Sequence, residues 1–109
     1  MVEAHGCDAC ALQDPIKLDA LFGRLIREMA LHPLSDAQWH KFPGAGGVTG
    51  MVMLSESHLA CHTFPEYRSL CLNLFCCRPR PEWDFEQHLR EEFGATAVRV
   101  RRIERPYSA

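Results

Sequence analysis

Three segments of strand character follow one another almost without interruption between residues 48 and 77, and no other feature restricts the fold as much. Val48–Leu54 is rich in apolar residues, His58–Phe64 alternates, and Ser69–Cys77 alternates cleanly. Only Ser55-Glu56-Ser57 separates the first two. So short a polar turn joins neighbouring antiparallel strands, because a parallel pair needs a crossover of about a dozen residues. In the third segment Leu70, Leu72, Leu74 and Cys76 share one face, and Cys71, Asn73, Phe75 and Cys77 share the other. The leucine face must be core. The Cys/Asn face is free to line a site.

Helical patterns flank this meander. Asp14 can cap a helix whose first position is Pro15, where the missing N–H has no partner to lose. Leu18, Leu21, Phe22, Leu25, Ile26 and Met29 then fall on one face, and the helix is predicted to end near His32-Pro33. A second helix is predicted from about Glu82 to Phe93, with Phe85, Leu89 and Phe93 one turn apart and Gly94 as its stop. Short strands are expected around Val2–Cys7 and over Thr96–Ile103. The order βαβββαβ describes an α+β two-layer sandwich, a mostly antiparallel sheet with two helices on one face. With 109 residues there is room for one domain, spanning 1–109. The Gly-rich stretch Trp39–Gly47 lacks the GK[ST] ending of a phosphate loop. It reads as a flexible loop laying Trp39 and Phe42 over a ligand, or equally as a turn with core aromatics at its edges.

Charge and cysteine usage exclude several classes. A net charge of −2 with mixed signs offers no electrostatic case for nucleic acid or a membrane surface, and Arg99, Arg101, Arg102 and Arg105 read as a solvated strand. No apolar run approaches the roughly 20 residues of a membrane span. The N-terminus lacks a basic segment followed by an apolar one, so a cytoplasmic protein is the default expectation. Reducing compartments keep thiols free, so the six cysteines are not expected to form a disulfide scaffold. Cys7 and Cys10 form a CxxC without a second one, and His58 and His62 on one strand stand roughly 13 Å apart. No metal site is expected.

The chemistry-bearing stretch is Ser55-Glu56-Ser57-His58, followed by His62-Thr63-Phe64-Pro65-Glu66. A serine hydroxyl is a weak nucleophile that needs a base and a distorted target. A tight turn can present the Glu56 carbonyl to Ser57 Oγ. The pattern SESH–x3–HT[FW]PE, together with Gly47-Val48-Thr49-Gly50, resembles the bacterial S-adenosylmethionine decarboxylase proenzymes, which are pyruvoyl-dependent and self-cleaving. The resemblance covers most of the chain.

The resemblance implies cleavage between Glu56 and Ser57 into a β chain, 1–56, and an α chain, 57–109. Ser57 would attack the Glu56 carbonyl, and elimination from the ester would leave a pyruvoyl group at position 57. The carbonyl of that cofactor condenses with a substrate amine and accepts electrons as carbon dioxide leaves. His62 is implied as the acid–base group of processing and Thr49 as a donor to the oxyanion on Glu56. Cys77, twenty residues after Ser57, serves processing and the return of a proton to carbon; Cys76 faces the core. Glu66 would accept bonds from ribose hydroxyls, and Phe42 would stack on adenine. The substrate implied is S-adenosylmethionine, on the route to spermidine, and the rings of Trp39, Phe42 and Phe64 suit its flat base and positive sulfur. The implied assembly is a homodimer of cleaved protomers. Two departures, a longer Phe42–Gly47 loop and Asn73 where Asp is common, keep L-ornithine or L-arginine as an alternative substrate. An uncleaved, non-catalytic homologue is the alternative of another class.

Overall fold

In the computed structural model, which describes residues 1–108, the meander of the sequence is the centre of one six-stranded sheet. The elements in chain order are β1 (Val2–His5), α1 (Ala9–Leu12), α2 (Pro15–Glu28), β2 (Gln38–Lys41), β3 (Val48–Leu54), β4 (Ser57–Phe64), β5 (Ser69–Cys76), α3 (Phe85–Phe93) and β6 (Ala97–Val100). The strands lie in the order β2-β3-β4-β5-β1-β6, every neighbour antiparallel. A single 3-10 turn, Pro65–Tyr67, joins β4 to β5. Arg68 closes that connection at φ 54°.

Sheet and helices meet on one side only. Leu18, Leu21, Phe22 and Leu25 of α2 and Leu89 and Phe93 of α3 pack with Val48, Val52, Leu54, Leu59, Leu70 and Leu72 in one buried cluster. Truncating a fully enclosed side chain such as Leu59 or Phe93 in such a core costs about 2–5 kcal/mol. Ion pairing of Arg24 with Glu92 ties α2 to α3, and a bond from Trp83 Nε1 to Glu28 Oε1 at 3.1 Å ties α2 to the segment just before α3. The caps are those expected: Asp14 accepts from the Ile16 amide at 3.0 Å, and Gly94 ends α3 at φ 68°. The opposite face, with Thr49, Met51, Met53, His58, Ala60, His62, Phe64, Asn73 and Phe75, carries no helix. Met51 and Met53 are exposed there.

The α+β two-layer architecture is the expected one, with local differences. A sixth strand, β2, lies along the edge of β3 within the stretch expected to be a loop. Its Trp39 turns toward the core, 4.7 Å from the Phe22 ring, and bonds Asp19 through Nε1 at 2.9 Å. Gly50 makes room for it, since a Cβ there would fall 2.0 Å from the indole. The one-turn helix α1 was also not foreseen; four residues are too few to show a period. Thr63 holds it down: its hydroxyl donates to the Leu12 carbonyl at 2.8 Å and accepts from the Val48 amide at 2.9 Å. Helix α2 stops at Glu28 rather than near His32, because Ala30 takes φ 52° and residues 32–34 turn back along the end of β3. Helix α3 starts at Phe85, where the Asp84 carboxylate can cap it by accepting from the Gln87 amide.

Candidate active site

The β3–β4 hairpin is closed by the pair Leu54 and Ser57, which leaves Ser55-Glu56 as a two-residue loop. Loops of that length favour residues with positive φ at both central positions, which is why Asn-Gly is preferred there. Ser55 and Glu56 do not adopt it. The positive angle falls on the next residue instead: Ser57 has φ 153°, a value that L-residues rarely take. Such a backbone costs on the order of 1–3 kcal/mol and persists only where surrounding contacts enforce it. The strain lies against the Glu56–Ser57 peptide bond.

Those contacts are present on every side of the loop. The Cys77 amide donates to the Glu56 carbonyl at 2.9 Å, and the Ser55 amide donates to the His32 carbonyl at 2.8 Å. The Glu56 side chain is buried. Its Oε1 accepts from the His32 amide at 3.1 Å and the Ser55 hydroxyl at 2.9 Å, and its Oε2 lies 2.8 Å from His32 Nδ1 and 3.7 Å from Arg80 Nη1. Hydrogen bonding to the His32 side chain, opposed by burial and aided by Ser55, pulls this carboxyl down to about 2. Ser57 Oγ stands 3.0 Å from His58 Nδ1, and the His58 ring stacks nearly parallel to Phe75 with centroids 5.7 Å apart. Cys77 is exposed, one residue past the end of β5. Cys76 packs against the core, where burial raises its thiol pKa. A shallow depression beside the loop is lined by His32, Ser55, Glu56, Cys77, Arg78 and Arg80.

A second group of predicted residues gathers at the other end of the same two strands. Thr49 and His62 face each other in register, with Thr49 Oγ1 2.6 Å from His62 Nδ1. Phe64 and Phe42 approach the His62 ring at 4.4 Å and 5.8 Å, and His40 meets Phe42 edge-on at 4.5 Å. Glu66 is exposed on the following 3-10 turn. Five residues of strand, roughly 16 Å, separate Ser57 from His62. Within one chain the structure therefore unites Glu56, Ser57 and Cys77, and separately unites Thr49, His62, Phe42 and Phe64. Thr49 stands away from the Glu56 carbonyl, whose partner is the Cys77 amide.

Two residues of the hairpin site, His32 and Arg80, lie outside the sequence pattern, and a third, His58, stands in it without an assigned role. His58 follows Ser57 directly, but alternation assigns adjacent strand residues to opposite faces. The irregular backbone at Ser57 is what lets the two side chains meet. His32 and Arg80 lie 24 residues from Glu56 on either side, and no local pattern marks them. Among the described residues no cluster of three or more His, Cys, Asp or Glu forms that could hold a metal, and no helix is long and apolar enough to cross a membrane.

Fold and site together define a class: an antiparallel α+β protein, covered by helices on one face, with a strained serine hairpin at the end of its sheet. The sequence profile of the S-adenosylmethionine decarboxylase family matches residues 1–106. The S-adenosylmethionine decarboxylase proenzyme of Moorella thermoacetica is 35% identical over 106 residues, covering 96% of this chain and 83% of the relative. That of Carboxydothermus hydrogenoformans is 32% identical over 106 residues, covering 96% and 82%. The crystal structure of the adenosylmethionine decarboxylase from Aquifex aeolicus superposes with a TM-score of 0.67 at 20% identity, over 99% of this chain and 92% of that one, a likeness of fold. The chain belongs to the S-adenosylmethionine decarboxylase family.

Proposed function

We propose that this chain is a cytoplasmic, pyruvoyl-dependent S-adenosylmethionine decarboxylase that matures by cutting itself between Glu56 and Ser57. One observation carries the reading: the backbone is strained at Ser57 while the adjoining Glu56 carbonyl is gripped by the Cys77 amide. A donor fixed on that oxygen stabilises the charge it gains under attack. The residues present fit the cofactor, since Ser57 supplies its atoms and exposed Cys77 lies at the same loop. Once formed, a pyruvoyl group supplies an electron sink for loss of the substrate carboxylate.

The remaining roles belong to the chain's own side chains. The products 1–56 and 57–109 stay together because β3 and β4 remain paired over six residue pairs and share one core. Cys77 returns a proton to carbon, its thiol free of the packing that holds Cys76. The rings of Phe42 and Phe64 receive the adenine and the sulfonium, and Glu66 the ribose hydroxyls. That choice of substrate rests on the names of the relatives, S-adenosylmethionine decarboxylase proenzymes; nothing in the site favours ornithine or arginine.

The distance between Ser57 and His62 supports a homodimeric working form. A second protomer laid on the helix-free face, where Met51 and Met53 are exposed, brings the Thr49–His62 end of one chain to the Ser57 end of the other. There His62 acts as the acid–base group of the elimination that follows ester formation, with Thr49 as its hydrogen-bond partner. Intact mass of the purified protein tests the reading, followed by carbon dioxide release from labelled S-adenosylmethionine. Two fragments and release are expected. A single uncut mass without release sinks the proposal and leaves a folded, non-catalytic relative.

A further inference from the structure

Among the described residues, the imidazole hydrogen-bonded to the Ser57 hydroxyl is that of His58, at 3.0 Å. Within the same chain, His32 Nδ1 is on the Glu56 carboxylate, and His62 Nδ1 is on Thr49 roughly 16 Å along the strand. His58 is also held in place. Its ring stacks on Phe75 at an interplanar angle of 8°, its strand partner across β3 is Met53, and the Arg105 guanidinium lies over the Phe75 ring. An imidazole fixed at hydrogen-bond distance from a serine hydroxyl is the arrangement by which that hydroxyl is activated.

We infer that His58 is the general base that activates Ser57 for attack on its own backbone, a role that rests on the self-cleavage reading above. In its Nε2-protonated tautomer, His58 accepts the Oγ proton at Nδ1 as Oγ forms a bond to the Glu56 carbonyl carbon. The carbonyl electrons move to the oxygen, which already accepts from the Cys77 amide. When the carbon–nitrogen bond breaks, the proton on His58 passes to the departing Ser57 nitrogen. The amide has become an ester with a free amine, and no co-reactant is consumed. The strain at φ 153° is released in this step, because the residue no longer closes a hairpin through a peptide bond.

The test follows cleavage of freshly purified His58→Ala and His58→Gln proenzymes by intact mass, with circular dichroism confirming the native sheet in each. Free imidazole is added to one set and hydroxylamine, which cuts the ester but not the amide, to another. The expected result is cleavage slowed about 10²-fold or more, no hydroxylamine-sensitive ester building up, and partial recovery of His58→Ala with imidazole. Cleavage at the wild-type rate in either folded variant overturns the inference. An accumulating ester also overturns it, by placing His58 in the later elimination. Slowing without imidazole rescue assigns the residue to packing and overturns it too. Wild-type protein that never cuts would instead break the reading on which the inference stands.

Discussion

The two ends of the β3–β4 hairpin share strands and register yet are built in opposite ways. At the Ser57 end the backbone is forced, and contacts from His32, Cys77 and Arg80, all distant in sequence, converge to hold it. At the His62 end the backbone is regular strand. Its side chains meet because cross-strand neighbours on one face stand about 5 Å apart. Under the proposed function the difference separates two tasks: breaking a peptide bond draws on a strained, gripped backbone, whereas receiving a flat, cationic nucleoside draws on accessible rings.

The sharpest way to break this comparison is at the nucleophile. Ser57→Ala removes it and is expected to leave one uncut chain under all conditions, read by intact mass; two fragments from that variant would place the cleavage elsewhere. His62→Ala is expected to stay uncut alone but to be cut when co-expressed with Ser57→Ala. A mixed dimer then pairs an intact Ser57 end with an intact His62 end. No cutting in the mixture would mean that both ends act within one chain. Third in size is the comparison of two adjacent thiols. Cys77→Ser should lower turnover about 10²-fold or more and Cys76→Ser far less, and equal losses would contradict the exposure difference between them.

Smaller effects sharpen the contrast in electrostatics. The Glu56 carboxyl is held at about 2 in the folded protein against an ordinary value of 4.5. A depressed folded-state value means that the clamp contributes stability above the ordinary range and loses it as pH falls from 4.5 toward about 2. In the uncut Ser57→Ala background, Glu56→Gln should flatten the fall of the melting temperature across that window. A slope identical to the parent's would show that the clamp is not charged. Thr49→Val, which removes one hydrogen bond from His62, should cost only about 1 kcal/mol in denaturant unfolding.

Legibility differs between the two ends for the same physical reason. Phe42, Thr49, His62 and Phe64 lie on alternating strand positions or next to them, so their gathering follows from period and register. The hairpin site depends on a departure from both. Nothing local in Ser-Glu-Ser announces that the positive φ will fall on Ser57, nor that the Glu56 carboxylate will be buried. Its hydrogen-bond partner, His32, is in place because α2 stops at Glu28 and the chain turns at Ala30. Strand β2 was hidden for a related reason: its hydrogen bonds come from the open edge of β3, and its own four residues carry too short a pattern to declare a strand.

What the sequence determined by itself was therefore the antiparallel meander, the two long helices, their core stripes and the short Ser-Glu-Ser turn, because each is written in local periodicity, capping or turn chemistry. Tertiary structure alone decided where the strain lies, which imidazole meets the hydroxyl, and which amide holds the carbonyl. It also decided that the predicted site residues fall into two clusters at opposite ends of one hairpin. Those outcomes are set by contacts between residues far apart in the chain, and by a single backbone angle that no local propensity favours.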